Sequence, residues 1–466
     1  MKYRNPIIPG FSPDPSIVLV GSTFFLVTSS FQVFPGLPIY ASHDLREWKL
    51  IGNAYNRPDQ LSLTFATTDV HTFQDGTTII VTGGLYAPTI RHHEGRFYIV
   101  CTNVTTQATE VEQENFILSC SEADIWTSEI DPDLFFEDGR CYVQGSWTEG
   151  PSNAPRCDIR GYEIDVATGT RLSYVRLLWN GWAGEGNAEG PHIYKKDGWY
   201  WLVTAERGTW ERHCLCVARS RHLQGPCEAC NKNPILTTYE QDGEIGHAGH
   251  GDLIEDTNGR WWCVFLGVRR GNAKLSTPLG RETFIVLVTW HKDQQPKIEA
   301  PCMDFEIEDT KASSVSLIKS IIADERSQWV HVRTPSLPDY NIVNDRSLRL
   351  KPRRARLSCE TESPTFVGKR QRLIETISAV RLSSTECKSE AGLAVYEDPQ
   401  QFATISFDSN DGTIHFEVQT PSRKARSIAQ WSWEDGKDVM FKIQATKEAY
   451  FFLYGLQLEK SEQRWI

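Results

Sequence analysis

The sequence has no uncharged apolar run long enough to cross a bilayer, and its opening, Met1-Lys-Tyr-Arg-Asn-Pro-Ile-Ile-Pro-Gly10, holds no apolar stretch of signal-peptide length. A membrane span and a secretory leader are therefore not expected, and the chain as given is expected in the cytoplasm. Positive charge is also short: 49 Lys and Arg against 60 Asp and Glu leave a formal net charge of -11. That balance gives no electrostatic reason to bind nucleic acid or an anionic membrane, and the basic run Lys351-Pro-Arg-Arg-Ala-Arg356 reads as a solvated strand face. No sustained helical periodicity appears. Twelve cysteines in 466 residues, without a leader, read as reduced interior thiols rather than a disulfide framework. Cys214-Leu-Cys216 and Cys227-Glu-Ala-Cys230 could close a zinc site, but in His213-Cys-Leu-Cys-Val-Ala218 the cysteines alternate with apolar residues, as on one face of a strand. No metal-ligand set is expected from them.

What the sequence does have is aromatics, 15 Trp, 15 Tyr and 21 Phe, and a length that suits two domains. It also has an internal repeat. Five segments share a strand–turn–strand pattern: DPSIVLVGSTFFLV from Asp14, APTIRHHEGRFYIV from Ala87, DPDLFFEDGRCYV from Asp131, GPHIYKKDGWYWLV from Gly190, and HGDLIEDTNGRWWCVF from His250. Proline follows the opening residue in four copies and Gly251 in the fifth; an aliphatic residue stands two positions further on (Ile17, Ile90, Leu134, Ile193, Leu253). A Gly-containing turn then leads to an aromatic-rich second strand. The copies start 44 to 73 residues apart, room for a four-stranded sheet with loops, the size of a propeller blade. The expectation is an all-β chain whose first part is a five-bladed β-propeller.

If each copy supplies the inner strands of a blade, the five openings meet at one end of the central channel. They are Asp14, Ala87, Asp131, Gly190 with Glu189 just before it, and His250. Asp beside Pro is ordinary turn chemistry when met once. Three carboxylates and an imidazole in one register suit glycoside hydrolysis, in which one carboxyl protonates the leaving oxygen and another activates water or attacks. Crowded carboxylates push their pKa values apart, which divides the acid from the base. Calcium is the rival ligand for such a cluster, but the spacing fits no compact calcium loop.

These segments resemble glycoside hydrolase family 43, in particular its β-xylosidase and α-L-arabinofuranosidase group with a C-terminal concanavalin A-like β-sandwich. NPIIPGFSPDPSIV, TSSFQVFPGLPIYASHDLREW, APTIRHHEGRFY, IDPDLFFEDGR, EGPHIYKKDGWYWLVTAE, HAGHGDL and PLGRET are similar to motifs of that group, in the same order. The resemblance implies an inverting, exo-acting enzyme on pentose-containing oligosaccharides, with Asp14 as general base, Glu189 as general acid and Asp131 as the carboxylate that orients the acid and raises its pKa. His250 matches the channel histidine and Arg281 the substrate-binding arginine. Phe31, Phe34 and Tyr86 are candidates for an aromatic wall round the end sugar. No cofactor is required by this chemistry, although a structural ion near His250 is compatible with it. Three departures stand out: Tyr86 where the group usually carries tryptophan, Arg207 where it usually has glycine, and an unusual lead-in, WAGEGNAEG, to the acid. A catalytically silent carbohydrate-binding propeller is the alternative reading.

Apolar periodicity lapses between Lys292 and Asp309, so the propeller is expected over 1–300 and a second domain over 310–466. SLRLKPRRARL, TFVGKRQRLIETISAVRL, EAGLAVYEDPQQFATISF, GTIHFEVQT and DVMFKIQATKEAYFFLYGL read as strands of the sandwich. The chain ends at Ile466, sooner than the family pattern leads one to expect; missing strands would expose a sandwich edge and leave room for a homo-oligomer.

Overall fold

The structure, a computed structural model, describes residues 1–72, 78–107, 110–119, 123–127, 130–149, 156–182, 184, 187–271, 277–308, 328–344, 347–383, 389–421, 423–430 and 438–455. Among these residues there is no α-helix, and hence none long and apolar enough to cross a membrane. Each repeat copy opens one antiparallel sheet. The first blade runs from the inner strand Ser16–Val20 through Thr23–Val27 and Gly36–Ser42 to Lys49–Tyr55. The second runs from Gly84–His93 to Ala123–Thr127, the third from Ile130–Glu137 to Arg176–Trp179, and the fifth from Ile245–Glu255 to Lys297–Ile298. In the fourth, Glu189–Lys196, Trp199–Glu206 and Cys214–Ser220 are followed by two short segments, Glu228–Ala229 and Leu236–Thr237, that share the edge of Cys214–Ser220.

Turn chemistry explains the inner hairpins. Glu94-Gly95, Asp138-Gly139 and Asp197-Gly198 have positive φ at both residues, the type I′ geometry whose twist matches that of the flanking strands. The aromatic second strands fill the gaps between blades, and one apolar cluster lies in each gap. Phe34, Leu85, Ile90 and Phe116 join blades one and two; Val100, Leu134 and Tyr162 join two and three; Ile159, Ile193 and Leu202 join three and four. Trp201, Leu253, Phe265 and Phe284 join four and five, and Ile17, Phe24, Trp262 and Ile285 close the ring. The amino terminus fastens that closure. Lys2–Arg4 pairs with Asp304–Glu306, and the Asn5 side chain bonds both N–H and C=O of Ile285 at 2.9 Å. The strand Asp304–Glu306 that makes this fastening lies beyond the fifth blade and, at three residues, is too short to show a pattern in the sequence.

In the second domain, a three-stranded sheet (Thr376–Leu382, Val439–Ala445, Tyr450–Gly455) shares one core with a four-stranded sheet running from Glu390–Asp398 to Arg423–Gln430. Phe407, Ile414, Phe441, Ile443 and Phe452 fill that core. The basic run at 351–356 is mostly exposed, as expected, but it follows the strand Ser347–Leu350 rather than forming a strand face. The domains are stitched together: His331–Val332 pairs with Val33–Phe34, and the fully buried Arg333 donates to Gln32 Oε1 and to the carbonyls of Cys359 and Glu362.

Every described cysteine is a free thiol. Cys214 and Cys216 point the same way from one strand, with sulfurs 4.0 Å apart, inside the fourth blade. They are packing residues. Among the described residues the one cluster of three metal-type ligands is Glu390, Asp408 and His415, in the sandwich. There the His415 imidazole is already engaged on both nitrogens, by Glu390 at 3.0 Å and Thr413 at 2.9 Å.

Candidate active site

The opening residues of all five copies have positive φ: Asp14 at 54°, Ala87 at 35°, Asp131 at 54°, Gly190 at 54° and His250 at 42°. Four of them are not glycine, and the left-handed region costs an ordinary residue about 1–3 kcal/mol. The same bend is thus made five times, before the inner strand of the first blade and as a break of register within those of the other four, and it turns the opening side chain into the mouth of the channel. The fourth copy uses glycine because a Cβ on Gly190 would lie 2.9 Å from the His250 ring. The carboxyl of that copy is accordingly displaced to Glu189.

Asp14 is buried and accepts a 2.6 Å hydrogen bond from Ser29 Oγ, which in turn accepts the Ala87 N–H at 2.7 Å. The second blade's bend therefore orients the first blade's carboxylate. Arg281 Nη1 stands 3.7 Å and His250 Nδ1 3.9 Å from Asp14 Oδ1. Burial holds the His250 imidazole near 4, against the opposing pull of Asp14, so the ring is neutral at neutral pH. Glu189 Oε1 is buried with no hydrogen-bond partner among the described residues. Burial first, then the charge of Asp14, pushes the Glu189 carboxyl up to about 7, with Arg281 opposing. Asp131 is raised as well, by burial, then Glu189, then Asp14, while the Gly190 N–H and Arg281 act in the other direction. Burial and mutual repulsion thus raise Glu189 and Asp131 together, with Arg281 as the opposing cation.

The aromatic candidates separate. Phe31, at φ 50°, is pinned by reciprocal backbone bonds to Leu85, which require Gly84: a Cβ there would meet the Phe31 carbonyl at 2.3 Å. Its ring lies 4.6 Å from that of Tyr86 and under the Arg281 guanidinium at 5.2 Å. Tyr86 is half-buried and spends its hydroxyl on Thr82 O at 2.6 Å. Both rings thus join the Arg281 side of the pocket. Phe34 does not. It is 2% exposed and packs edge-on against Tyr55 at 5.1 Å and beside His331, at the seam with the second domain. The alternation of Gln32, Val33 and Phe34 along a short strand turns it away from the sugar side.

Other wall residues carry no signal of their own in the sequence. Phe11 packs on Phe31 at 5.5 Å and beneath Arg281 at 5.7 Å. From the sandwich, Arg370 Nη1 donates to Phe11 O at 2.9 Å, and the Gln371 backbone abuts Gly10 so closely that a Cβ would lie 2.3 Å from its carbonyl oxygen. Glu397, raised by burial and by Asp398, also feels Arg281. Only the fold brings a segment some 360 residues away to this wall; FVGKRQ, legible as sandwich sequence, gave no hint of it.

The family model for glycosyl hydrolases family 43 matches residues 3–296, which span the five blades but for the edge strand Lys297–Ile298. The chain belongs to that family. Residues 324–466 match the Beta xylosidase C-terminal Concanavalin A-like domain, so this family 43 enzyme carries the accessory sandwich its sequence resembled. Among curated proteins, it is 32% identical over 476 residues to a non-reducing end alpha-L-arabinofuranosidase of Bacteroides ovatus, covering 97% of this chain and 84% of that one. It is 31% identical over 452 residues to a xylosidase/arabinosidase of Butyrivibrio fibrisolvens, covering 89% and 81%. Among solved structures, a xylan beta-1,4-xylosidase of Bacillus halodurans superposes with a TM-score of 0.83 at 26% identity, over all of this chain and 91% of that one.

Proposed function

We propose that this glycoside hydrolase releases a terminal β-D-xylose or α-L-arabinofuranose from xylo-oligosaccharides or arabinoxylan fragments by a single inverting displacement. Asp14 takes the proton of the attacking water, and Glu189 gives its proton to the departing oxygen. Asp131 orients the acid, although the rise of Glu189 comes from burial and Asp14 rather than from Asp131; Arg281 offers paired donors to sugar hydroxyls, and Phe31 and Tyr86 face the ring. The observation that carries this reading is the Glu189 carboxyl. It is held protonated near neutrality, and its Oε1 has no hydrogen-bond partner among the described residues, as a general acid awaiting a leaving oxygen should be. The names of the relatives support both pentoses. In this reading the trio requires no metal or redox cofactor. An ion near His250 would have that ring as its nitrogen ligand, but the Arg91 guanidinium, 3.0 Å from the neighbouring channel imidazole His192, already brings a cation into the channel.

Aryl β-D-xyloside and aryl α-L-arabinofuranoside, assayed side by side and alongside the natural oligosaccharides, test the assignment. Turnover of at least one is expected; silence on all of them would favour a carbohydrate-binding propeller. Nuclear magnetic resonance of the first-formed sugar, before mutarotation, is expected to show the inverted anomer.

A further inference from the structure

Two of the departures noted in the sequence meet in space: Arg207, and Trp182 at the head of the WAGEGNAEG lead-in, whose residues 183, 185 and 186 lie outside the described ones. Glu189 pairs with Ala205 across the inner hairpin of the fourth blade, so Glu206 and Arg207 follow at the same end of the channel. Glu206 is 1% exposed, and its buried carboxylate collects its donors from the lead-in. Trp182 N–H donates to both oxygens, at 2.9 and 2.8 Å, and Trp179 Nε1–H donates at 3.2 Å, with Thr204 Oγ1 at 3.2 Å from below. A buried charge must be satisfied this fully, and doing so fixes the backbone that supplies the donors. Gly181 takes the left-handed φ of 87° beside this clamp, where a Cβ would be in ordinary contact with Glu206 Oε2 at 3.4 Å and with the Cβ of Ala188, the residue before the acid, at 3.7 Å. The backbone of Trp182 is therefore clamped to Glu206, the neighbour of Ala205 that pairs with Glu189, yet its indole is 38% exposed and carries the Arg207 guanidinium 5.7 Å from its centroid.

We infer that Trp182, braced by Arg207, is the platform on which the first sugar of the leaving group stacks. The inference rests on Glu189 being the acid. The acid must touch the glycosidic oxygen, so the departing sugar lies along the wall on the side of Glu189, opposite the Phe31 and Arg281 wall that faces the terminal pentose. A rigid indole offers apolar area to a sugar face at little entropic cost.

The test compares two substrates of the same pentose, an oligosaccharide and the methyl glycoside, which has no leaving sugar to stack. Wild-type turnover comes first and establishes the activity, and the leaving-group dependence of Glu189→Ala, which does not involve Trp182, decides the reading of the acid separately. With turnover in hand, Trp182→Ala should lower kcat/KM for the oligosaccharide about tenfold, mostly through KM, and leave the methyl glycoside within about twofold. Trp182→Phe should recover most of the loss. Arg207→Ala, which keeps the Glu206 clamp, should shift the same ratio in the same direction by about threefold and provides the measurement if Trp182→Ala does not fold. Equal losses on both substrates in Trp182→Ala, or an unchanged ratio in Arg207→Ala, would overturn the inference.

Discussion

The same five strands build two polar layers in the channel, and the layers behave oppositely. The upper one holds Asp14, Asp131 and Glu189. Two residues beyond the five opening positions, Asp14, Ala87, Asp131, Gly190 and His250, stand Ser16, Thr89, Asp133, His192 and Asp252. This lower layer surrounds Arg91, which contacts Asp133 at 2.9 Å and Asp252 at 2.8 Å; Ser16 and Tyr194 add bonds to Asp252 at 2.8 and 2.6 Å. Burial alone would raise Asp252, but Arg91 and the other partners hold it well below the usual carboxylate range. In the upper layer the guanidinium of Arg281 stays 3.7 Å from Asp14, and Glu189 and Asp131 are raised instead. Burial is common to both layers. What separates structural carboxylates from chemical ones is a cation in contact.

Substitutions should break that contrast in graded ways. The largest effect is expected from Asp14→Ala, which removes water activation and should depress turnover by about 10²–10⁴-fold. Arg91→Met strikes the lower layer: it leaves Asp133 and Asp252 buried without their cation and should cost about 3–5 kcal/mol of stability, read by denaturant titration. If Arg91→Met were as stable as wild type, the lower layer would not depend on its ion pairs. Acidity of Glu189 sets a third effect. With its carboxyl at about 7, kcat/KM should decline with rising pH above neutrality, toward tenfold per unit, as the acid loses its proton. The smallest effect is on the fold. A raised folded-state pKa stabilises the protein fully below the ordinary carboxylate value, and that contribution is lost as pH rises through about 7. Glu189→Gln should therefore be more stable than wild type at pH 8, by on the order of 1 kcal/mol, with the advantage gone near pH 4.

The repeat was legible because hairpins with Gly turns recur in one register, and that register alone brought Asp14, Asp131 and His250 to one place. Glu189 needed its neighbour read correctly: the opening position of its copy belongs to Gly190, where the His250 ring leaves no room for a Cβ. Phe34 shows the limit of motif reading, since an aromatic inside a matched segment faces the domain seam as readily as the sugar. Phe11 and Arg370 were illegible for a different reason. Their role comes from the docking of two domains across some 360 residues, a contact no local pattern encodes. Arg91 was hidden in plain view: it stands in a repeat copy, but only its burial among Asp133, Asp252 and His192 distinguishes it from a surface arginine.

The central claim is the division of labour between Asp14 and Glu189, and leaving-group dependence tests it most directly. A sugar alkoxide departs poorly unless it is protonated, whereas an activated phenolate needs little help, and water must attack in either case. The measurement is kcat/KM of Glu189→Ala and Asp14→Ala on an oligosaccharide and on an activated aryl glycoside of the same pentose. Glu189→Ala should lose far more on the oligosaccharide than on the aryl glycoside, and Asp14→Ala should lose equally on both. A Glu189→Ala defect of the same size on both substrates, or an Asp14→Ala defect confined to the oligosaccharide, would contradict the assignment of acid and base.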